Sequence, residues 1–297
     1  TPKTSSAASD VYKRQDLAPR IGLWTTLTPD HLERHGTLDA YRAIKRGLLE
    51  RSELAIFNAD DPDLRHQRGS WEQRGIWVSA AGHRPDGQDA DLWIDEDDQV
   101  RGPDGPLFPA TALAMPGLHN RQNLLMVTAA ARRIGLPAAE IEAALRRFPG
   151  VPHRLELLGT VNGLSVFNDS KATNYDAAAV GLRAMTAPVV VLAGGSTKQG
   201  DASDWLAELN RRACAVVHFG AGAEELQGLI TTSGFPGPLS LCNDLSAAVD
   251  QAVQRAEALG ASNLLLSPAC ASFDQYRDFE ARGDHFKQLI HQVQSGS

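Results

Sequence analysis

From about residue 150 onward the chain alternates short apolar β-type runs with helical ones, and this restricts the fold more than any other feature. The β-type runs cover residues 164–167, 189–193, 215–219, a weaker stretch near 239–241, and 263–266. Helical runs between and after them cover 175–185, 203–212, 222–231, 245–258 and 276–293. Strands joined through helices by short connections pair in parallel, because a tight hairpin can only reverse the chain. Right-handed crossovers then bring the strands' carboxyl ends to one rim. The expected fold class is α/β, with a parallel, doubly wound sheet in this half.

Polar junctions fall on that rim. Asp169 and Lys171 follow one strand, Gly194-Gly195-Ser196-Thr197-Lys198 the next, Gly220 the third, and Ser267-Pro268-Ala269-Cys270-Ala271-Ser272 the last. Open α/β sheets take ligands there, where strand ends and helix N-termini meet. On residue type alone, Ser170, Thr173 and Asn174 read first as helix caps. Lys198 reads as an anion clamp. Its surrounding Gly-Gly-Ser-Thr-Lys lacks the four-residue spacer and the Gly-Lys-Ser/Thr ending of a Walker A loop, and no other stretch supplies them.

The segment Gly150-Val151-Pro152 is the expected joint between domains. Beyond it, Asn162-Gly163 signals a hairpin between Leu157 and Phe167. Before it, a strand over 21–27 and a helix over 37–50 are expected. The helix has Leu38, Tyr41, Ile44, Leu48 and Leu49 on one stripe and Lys45 beside it. A short strand over 54–57 ends in Asn58-Ala59-Asp60-Asp61-Pro62, which asks for nothing beyond turn chemistry. A β-rich stretch follows over 75–79 and 91–94, with a polar turn over 97–105 and a last run over 112–115. One helix is expected from Asn120, its N-cap, to Ile134, closed by Gly135. Another runs from Pro137 at N1 to Phe148. Asn123, one turn into the first, would present an amide to a planar ligand, and Arg154 sits where a phosphate could be met. Residues 1–15 follow neither apolar period and read as a disordered or non-native leader. The expected division is thus 1–15, 16–150 and 151–297.

Composition removes some functions. The net charge of −7 and pI near 5.7 give no basic field for nucleic acid or an anionic membrane surface. No apolar run approaches the roughly eighteen residues that span a bilayer. Cys214, Cys242 and Cys270 are odd in number and lack zinc-ligand spacing, so free thiols in a reducing cytoplasm are expected. In His31-Leu32-Glu33-Arg34-His35 the Glu does not directly follow the first His, so a zinc-protease helix is excluded and a surface histidine pair is the plainer reading.

Taken together the motifs resemble the Mur ligase family, and within it the D-glutamate-adding members. The resemblance rests on the stretch 27–35, Tyr41-Arg42-Ala43-Ile44-Lys45, Asn58-Ala59-Asp60-Asp61-Pro62, Gly117-Leu118-His119-Asn120-Arg121-Gln122-Asn123, Pro152-His153-Arg154, Asn168-Asp169-Ser170-Lys171-Ala172-Thr173-Asn174 and the stretch 267–274. It implies an ATP-dependent amide ligase of peptidoglycan precursor synthesis. ATP phosphorylates the carboxylate of UDP-MurNAc-L-Ala, and the amine of D-glutamate attacks the acyl phosphate. By position, His31 would bind magnesium, and Lys45 would be carbamylated and help hold that ion. Asn120 and Asn123 would meet the adenine side, and Arg154 and Asp169 the phosphates and ribose of ATP. Lys171, Thr173, Lys198, Ser272 and Phe279 would surround D-glutamate, with Lys198 also close to the reacting centre.

The family's Gly-Lys-Thr phosphate loop and magnesium-binding Glu are missing from this sequence. The resemblance therefore implies a Rossmann-like C-terminal domain joined to the second part of a P-loop-type central ATPase domain. It also implies a cytoplasmic monomer that does not ligate by itself. Two other readings stay open: a non-catalytic amino-acid or nucleotide-binding module, and another Mur ligase or folylpolyglutamate synthase relative. A dinucleotide-dependent dehydrogenase is disfavoured, since no G-x-G-x-x-G follows a strand and Gly220, not an acid, follows Phe219.

Overall fold

The computed structural model describes residues 18–27, 36–71, 75–84, 87–197 and 200–296. The proposed leader 1–15, His31 and Lys198 lie outside the described residues. The chain forms two compact units, one reaching to Ala114 and resuming over Leu118–Phe148, the other made of Met115–Gly117 and Pro149–Ser297.

The first unit is built on a six-stranded sheet in sequential order: β1 (Ile21–Trp24), β2 (Leu54–Asn58), β3 (Ile76–Ser79), β4 (Leu92–Ile94), β5 (Gln99–Gly102) and β6 (Gly105–Pro109). β1 to β4 run parallel, and β4 to β6 form an antiparallel meander. The stretch expected to be one polar turn over 97–105 is therefore two turns with β5 between them. Asp98 and Gly105 take positive φ at those bends, at 60° and 116°. The run expected as a strand over 112–115 is instead a 3-10 turn, Ala110–Ala112, followed by irregular chain ahead of Pro116.

Four α-helices of this unit are described. Helix α1 (Leu38–Glu50) starts where Thr37 accepts the Ala40 amide at 3.1 Å, and it buries Tyr41 and Leu49. Helix α2 spans Pro62–Gln67. Helix α3 (Leu118–Arg133) begins two residues before its expected cap, so Asn120 lies inside the first turn and is buried. Helix α4 (Ala138–Arg147) has Pro137 at its N-cap position rather than at N1.

The second unit has the sheet order β11-β10-β9-β12-β8-β7. Its strands are β7 (Glu156–Val161), β8 (Leu164–Asn168), β9 (Val189–Gly194), β10 (Ala213–Phe219), β11 (Leu239–Cys242) and β12 (Asn263–Leu266). Only β7 runs antiparallel, joined to β8 through Asn162 and Gly163 at φ 50° and 83°, the left-handed pair such a turn needs. The helices are α5 (Tyr175–Arg183), α6 (Ser203–Arg212), α7 (Ala223–Thr232), α8 (Leu245–Leu259) and α9 (Phe279–Gly296). The last begins three residues later than its sequence period suggests.

Period-two alternation in β9 explains why the sheet is covered on both faces. Val189, Val191 and Ala193 pack with α5, α6 and α7, while Val190 and Leu192 pack with α8 and α9. All five are fully buried, and each larger side chain contributes about 1.5–3 kcal/mol on leaving water. The chain runs outward from β9 through β10 to β11, then returns so that β12 lies between β9 and β8. That reversal of strand order sets the crevice at the carboxyl ends of β8, β12 and β9, the three strands whose loops carry the polar motifs.

Candidate functional site

The loop after β8 is set by its buried side chains. Asn168 is fully buried; its Nδ2 lies 3.1 Å from His153 Nδ1 and 3.2 Å from Gly283 O, while its Oδ1 accepts the Ser170 amide at 3.2 Å. Asp169 is 5% exposed, and both its oxygens are engaged: Oδ1 accepts the Leu155 amide at 3.2 Å, Oδ2 the Ser267 hydroxyl at 3.1 Å. Burial raises its pKa to about 7, against the opposing pull of those two bonds and of Arg154. Gly181 of α5 permits this carboxylate, because a Cβ there would collide with Asp169 Oδ2.

Of the three residues read as caps, only Asn174 is one, accepting the Ala177 amide at 2.8 Å. Ser170 is instead fully buried, donating to Phe279 O at 2.8 Å and accepting from Arg282 Nε at 3.0 Å. Thr173 is half-buried beyond it. Lys171 projects from the same loop, exposed, with its ammonium 4.8 Å from the centre of the half-buried Phe279 ring. Arg154 is also exposed.

Arg282 had no signal in the sequence, since it is one arginine in the first turn of a helix. It is fully buried, and its guanidinium donates to Ser170 O at 2.9 Å, Cys270 O at 3.1 Å and Gly194 O at 3.3 Å. One side chain thus ties the loops after β8, β9 and β12. Burial lowers its pKa to about 10, so it remains a cation at neutral pH. Backbone bonds complete the interlock: Ser196 and Ala271 exchange amide-to-carbonyl bonds of 2.8 and 3.0 Å. Gly195, at φ 123°, has no space for a Cβ beside Ala271 O. Ser272 follows this bridge and is 2% exposed.

The first unit has a rim of its own. The turn after β2, expected to need only local bonds, makes long-range ones. Asp60 accepts Ser79 Oγ at 2.7 Å, the Ala80 amide at 2.8 Å and Gln122 Nε2 at 3.1 Å. Asp61 caps α2 through the Leu64 amide at 2.9 Å and also accepts Thr26 Oγ1 at 2.7 Å and the Leu27 amide at 3.1 Å. Asn58 donates to Thr25 O at 2.8 Å and accepts the Asp60 amide at 3.0 Å. On α3, Asn120 is 3% exposed and Asn123 is exposed. Lys45 of α1 is half-buried, its Nζ 4.9 Å from the Tyr41 ring centre.

Among the described residues no three His, Cys, Asp or Glu side chains are grouped to hold a metal. An ammonium such as that of Lys45 has no lone pair for a cation, and magnesium prefers oxygen ligands. Lys45 as an ammonium is therefore no magnesium ligand. No described helix is long and apolar enough to cross a membrane.

Comparison with known proteins covers both units. The Mur ligase middle domain matches residues 4–131, and the Mur ligase glutamate ligase domain matches residues 153–270. The chain is 74% identical over 292 residues to UDP-N-acetylmuramoylalanine–D-glutamate ligase of Parasynechococcus marenigrum, covering 98% of this chain and 63% of that protein. It is 67% identical over 275 residues to the enzyme of that name from Prochlorococcus marinus strain MIT 9313, covering 93% and 60%. It thus spans about three-fifths of the length of the curated relatives it matches.

Among solved structures, Thermotoga maritima MurF ligase in complex with ADP aligns at TM-score 0.66 and 14% identity, covering 98% of this chain and 66% of that one. Mycobacterium tuberculosis folylpolyglutamate synthase complexed with ADP and AMPPCP aligns at 0.64 and 14%, covering 93% and 65%. At such identities the likeness speaks for the fold alone.

Proposed function

The chain belongs to the Mur ligase family, a family of ligases that act as peptide synthases, and from that premise we propose that it supplies the D-glutamate-binding and part of the ATP-binding machinery of a ligase. The reaction is ATP-dependent amide formation between UDP-MurNAc-L-Ala and D-glutamate. The carboxylate of the first is activated as an acyl phosphate, and the amine of the second displaces phosphate.

The observation that carries this reading is the rim of the second unit. There the loops after β8, β9 and β12 are locked together while Lys171 is left exposed on them. A dicarboxylate needs fixed cations, and a cation on a locked loop holds its ligand with little loss of entropy. We assign Lys171 and Lys198 to the D-glutamate carboxylates, with Thr173, Ser272 and Phe279 shaping the pocket. Arg154 takes a phosphate oxygen of ATP. Asp169, with both oxygens engaged, serves the nucleotide by fixing Leu155 and so the arginine beside it.

In the first unit, Asn120 and Asn123 are assigned to the adenine side, and His31 and Lys45 to the phosphoryl end. Magnesium accompanies ATP as the counter-ion of its phosphates. Lys45 would join it only after its ammonium had become a carbamate.

The test joins this chain to the remainder of the Parasynechococcus relative and follows phosphate release together with incorporation of radiolabelled glutamate. Phosphate release that requires both UDP-MurNAc-L-Ala and D-glutamate, with L-glutamate inert, is expected. Incorporation of a diamino acid or of L-glutamate in place of D-glutamate would overturn the assignment.

A further inference from the structure

The Asn58–Asp61 turn holds more than its own helix. A turn that only caps α2 would use Asp61 Oδ1 on the Leu64 amide and leave its other acceptors to water. Here Asp60 instead reaches residues 19, 20 and 62 positions away in the sequence, namely Ser79, Ala80 and Gln122. Its two oxygens meet three donors, which is close to what a carboxylate can satisfy. Two of those donors belong to the end of β3, the neighbouring strand, and one to the second turn of α3.

That third bond matters for the nucleotide. Gln122 lies between Asn120, buried, and Asn123, exposed, in the first turns of the helix. Successive residues on a helix are about 100° apart around its axis, so the Gln122–Asp60 bond, together with the buried Leu124, Leu125 and Met126 on the core side, helps hold the direction in which Asn123 points. The neighbouring Arg121 pairs with Asp98, and the two side chains are 36% and 41% exposed. Solvent screening makes such a pair a weak constraint. The Asp60–Gln122 bond is partly buried and rooted in the sheet, because Asp60 is itself held by the Asn58 side chain and the β3 end.

Resting on the function proposed above, we propose that Asp60 is a positioning residue for adenine nucleotide, acting through Gln122 to set the rotation of α3. Neither residue touches the nucleotide; the pair orients the amides that do. A shift of about 1 Å in a binding group is enough to weaken a bound state severely.

The experiment uses the chain joined to the remainder of the Parasynechococcus relative. Gln122→Met keeps the side-chain length and removes the donor, whereas Gln122→Lys keeps a donor for the carboxylate. Gln122→Met is expected to raise KM for ATP about tenfold, with KM for D-glutamate and the thermal midpoint nearly unchanged, and Gln122→Lys to restore KM for ATP to within about twofold. A wild-type ATP KM in Gln122→Met, or equal losses in both variants, would overturn the inference while leaving the ligase function standing. An unmutated protein that consumes no ATP with the two acceptors would overturn the function and this inference together.

Discussion

The two units solve one problem with opposite charges. Each has a largely parallel sheet whose strand-end loops must be kept in register. In the first unit the groups needing partners are donors: the amides of Leu27 and Ala80, the hydroxyls of Thr26 and Ser79, and the amide of Gln122. Two adjacent carboxylates, Asp60 and Asp61, accept them all. In the second unit Asp169 likewise accepts the Leu155 amide and the Ser267 hydroxyl, but the tie between three loops runs through acceptors, the carbonyls of Ser170, Gly194 and Cys270, to which one buried guanidinium donates. The carboxylates are part of the turn they organise, whereas Arg282 reaches the loops from the helix that follows them. The difference teaches that the sign of a structural charge follows from which backbone groups the loops leave unpaired.

Removing the arginine should have the largest effect. Arg282→Met leaves three carbonyls and Ser170 without their partner in a dry setting, and should destabilise the second unit by on the order of 3 kcal/mol. Trp205 is the only tryptophan there, the other four being Trp24, Trp71, Trp77 and Trp93, so fluorotryptophan NMR in urea reads this unit separately. The Trp205 signal should lose its native position at lower urea while the other four hold. Loss of all five together would show that the two rims are not independent.

Titration sharpens the contrast, because the second unit also buries two groups of opposite response. Asp169 has its pKa raised from 3.8 to about 7. Between those values the folded unit keeps a proton that the unfolded chain gives up, so its contribution falls as pH rises and is recovered on acidification. His218 is fully buried on β10 with neither ring nitrogen bonded, and burial lowers its pKa from 6.5 to about 4. The unfolded chain takes up a proton first, so its contribution is lost as pH falls through that window. Each amounts to a few kcal/mol, on the order of 3, and they oppose one another. From pH 8 to about pH 5, Asp169→Asn should lose stability relative to the unmutated chain, and His218→Leu should gain. Parallel urea midpoints for all three proteins across that range would rule out both assignments.

A smaller effect is expected in the first unit. Asp61→Asn can still cap α2 but presents an amino group to Thr26 and Leu27, at a cost of about 1–2 kcal/mol. Hydrogen exchange should quicken at Leu27 and not at Ser272. Quickening at both would contradict the separate anchoring of the rims.

Much of the scaffold was legible in the sequence. The alternation past residue 150 predicted the second sheet, and Asn162-Gly163 predicted the β7–β8 hairpin, because both depend on local periodicity and turn geometry. Asn174 was readable as a cap for the same reason. What could not be read was pairing over long separations. Asn58-Ala59-Asp60-Asp61-Pro62 looks like an ordinary turn until Gln122 is brought beside it, and Arg282 looks like a surface residue until three strand ends converge on it. Ser170 fits a cap equally well by residue type, and only the fold gives it to Arg282. The β5 strand was hidden because Asp97, Asp98, Asp104 and two glycines made two tight turns look like one loop.

In the proposed function Lys171 meets a carboxylate of D-glutamate at the locked rim of the second unit. Its direct test is steady-state kinetics of Lys171→Met in this chain joined to the remainder of the Parasynechococcus relative. Loss of one charge-assisted contact of about 1.5–3 kcal/mol predicts a KM for D-glutamate raised roughly 10- to 100-fold, with KM for ATP changed less than about twofold. An unchanged KM for D-glutamate, or an equal rise in both constants, would contradict it.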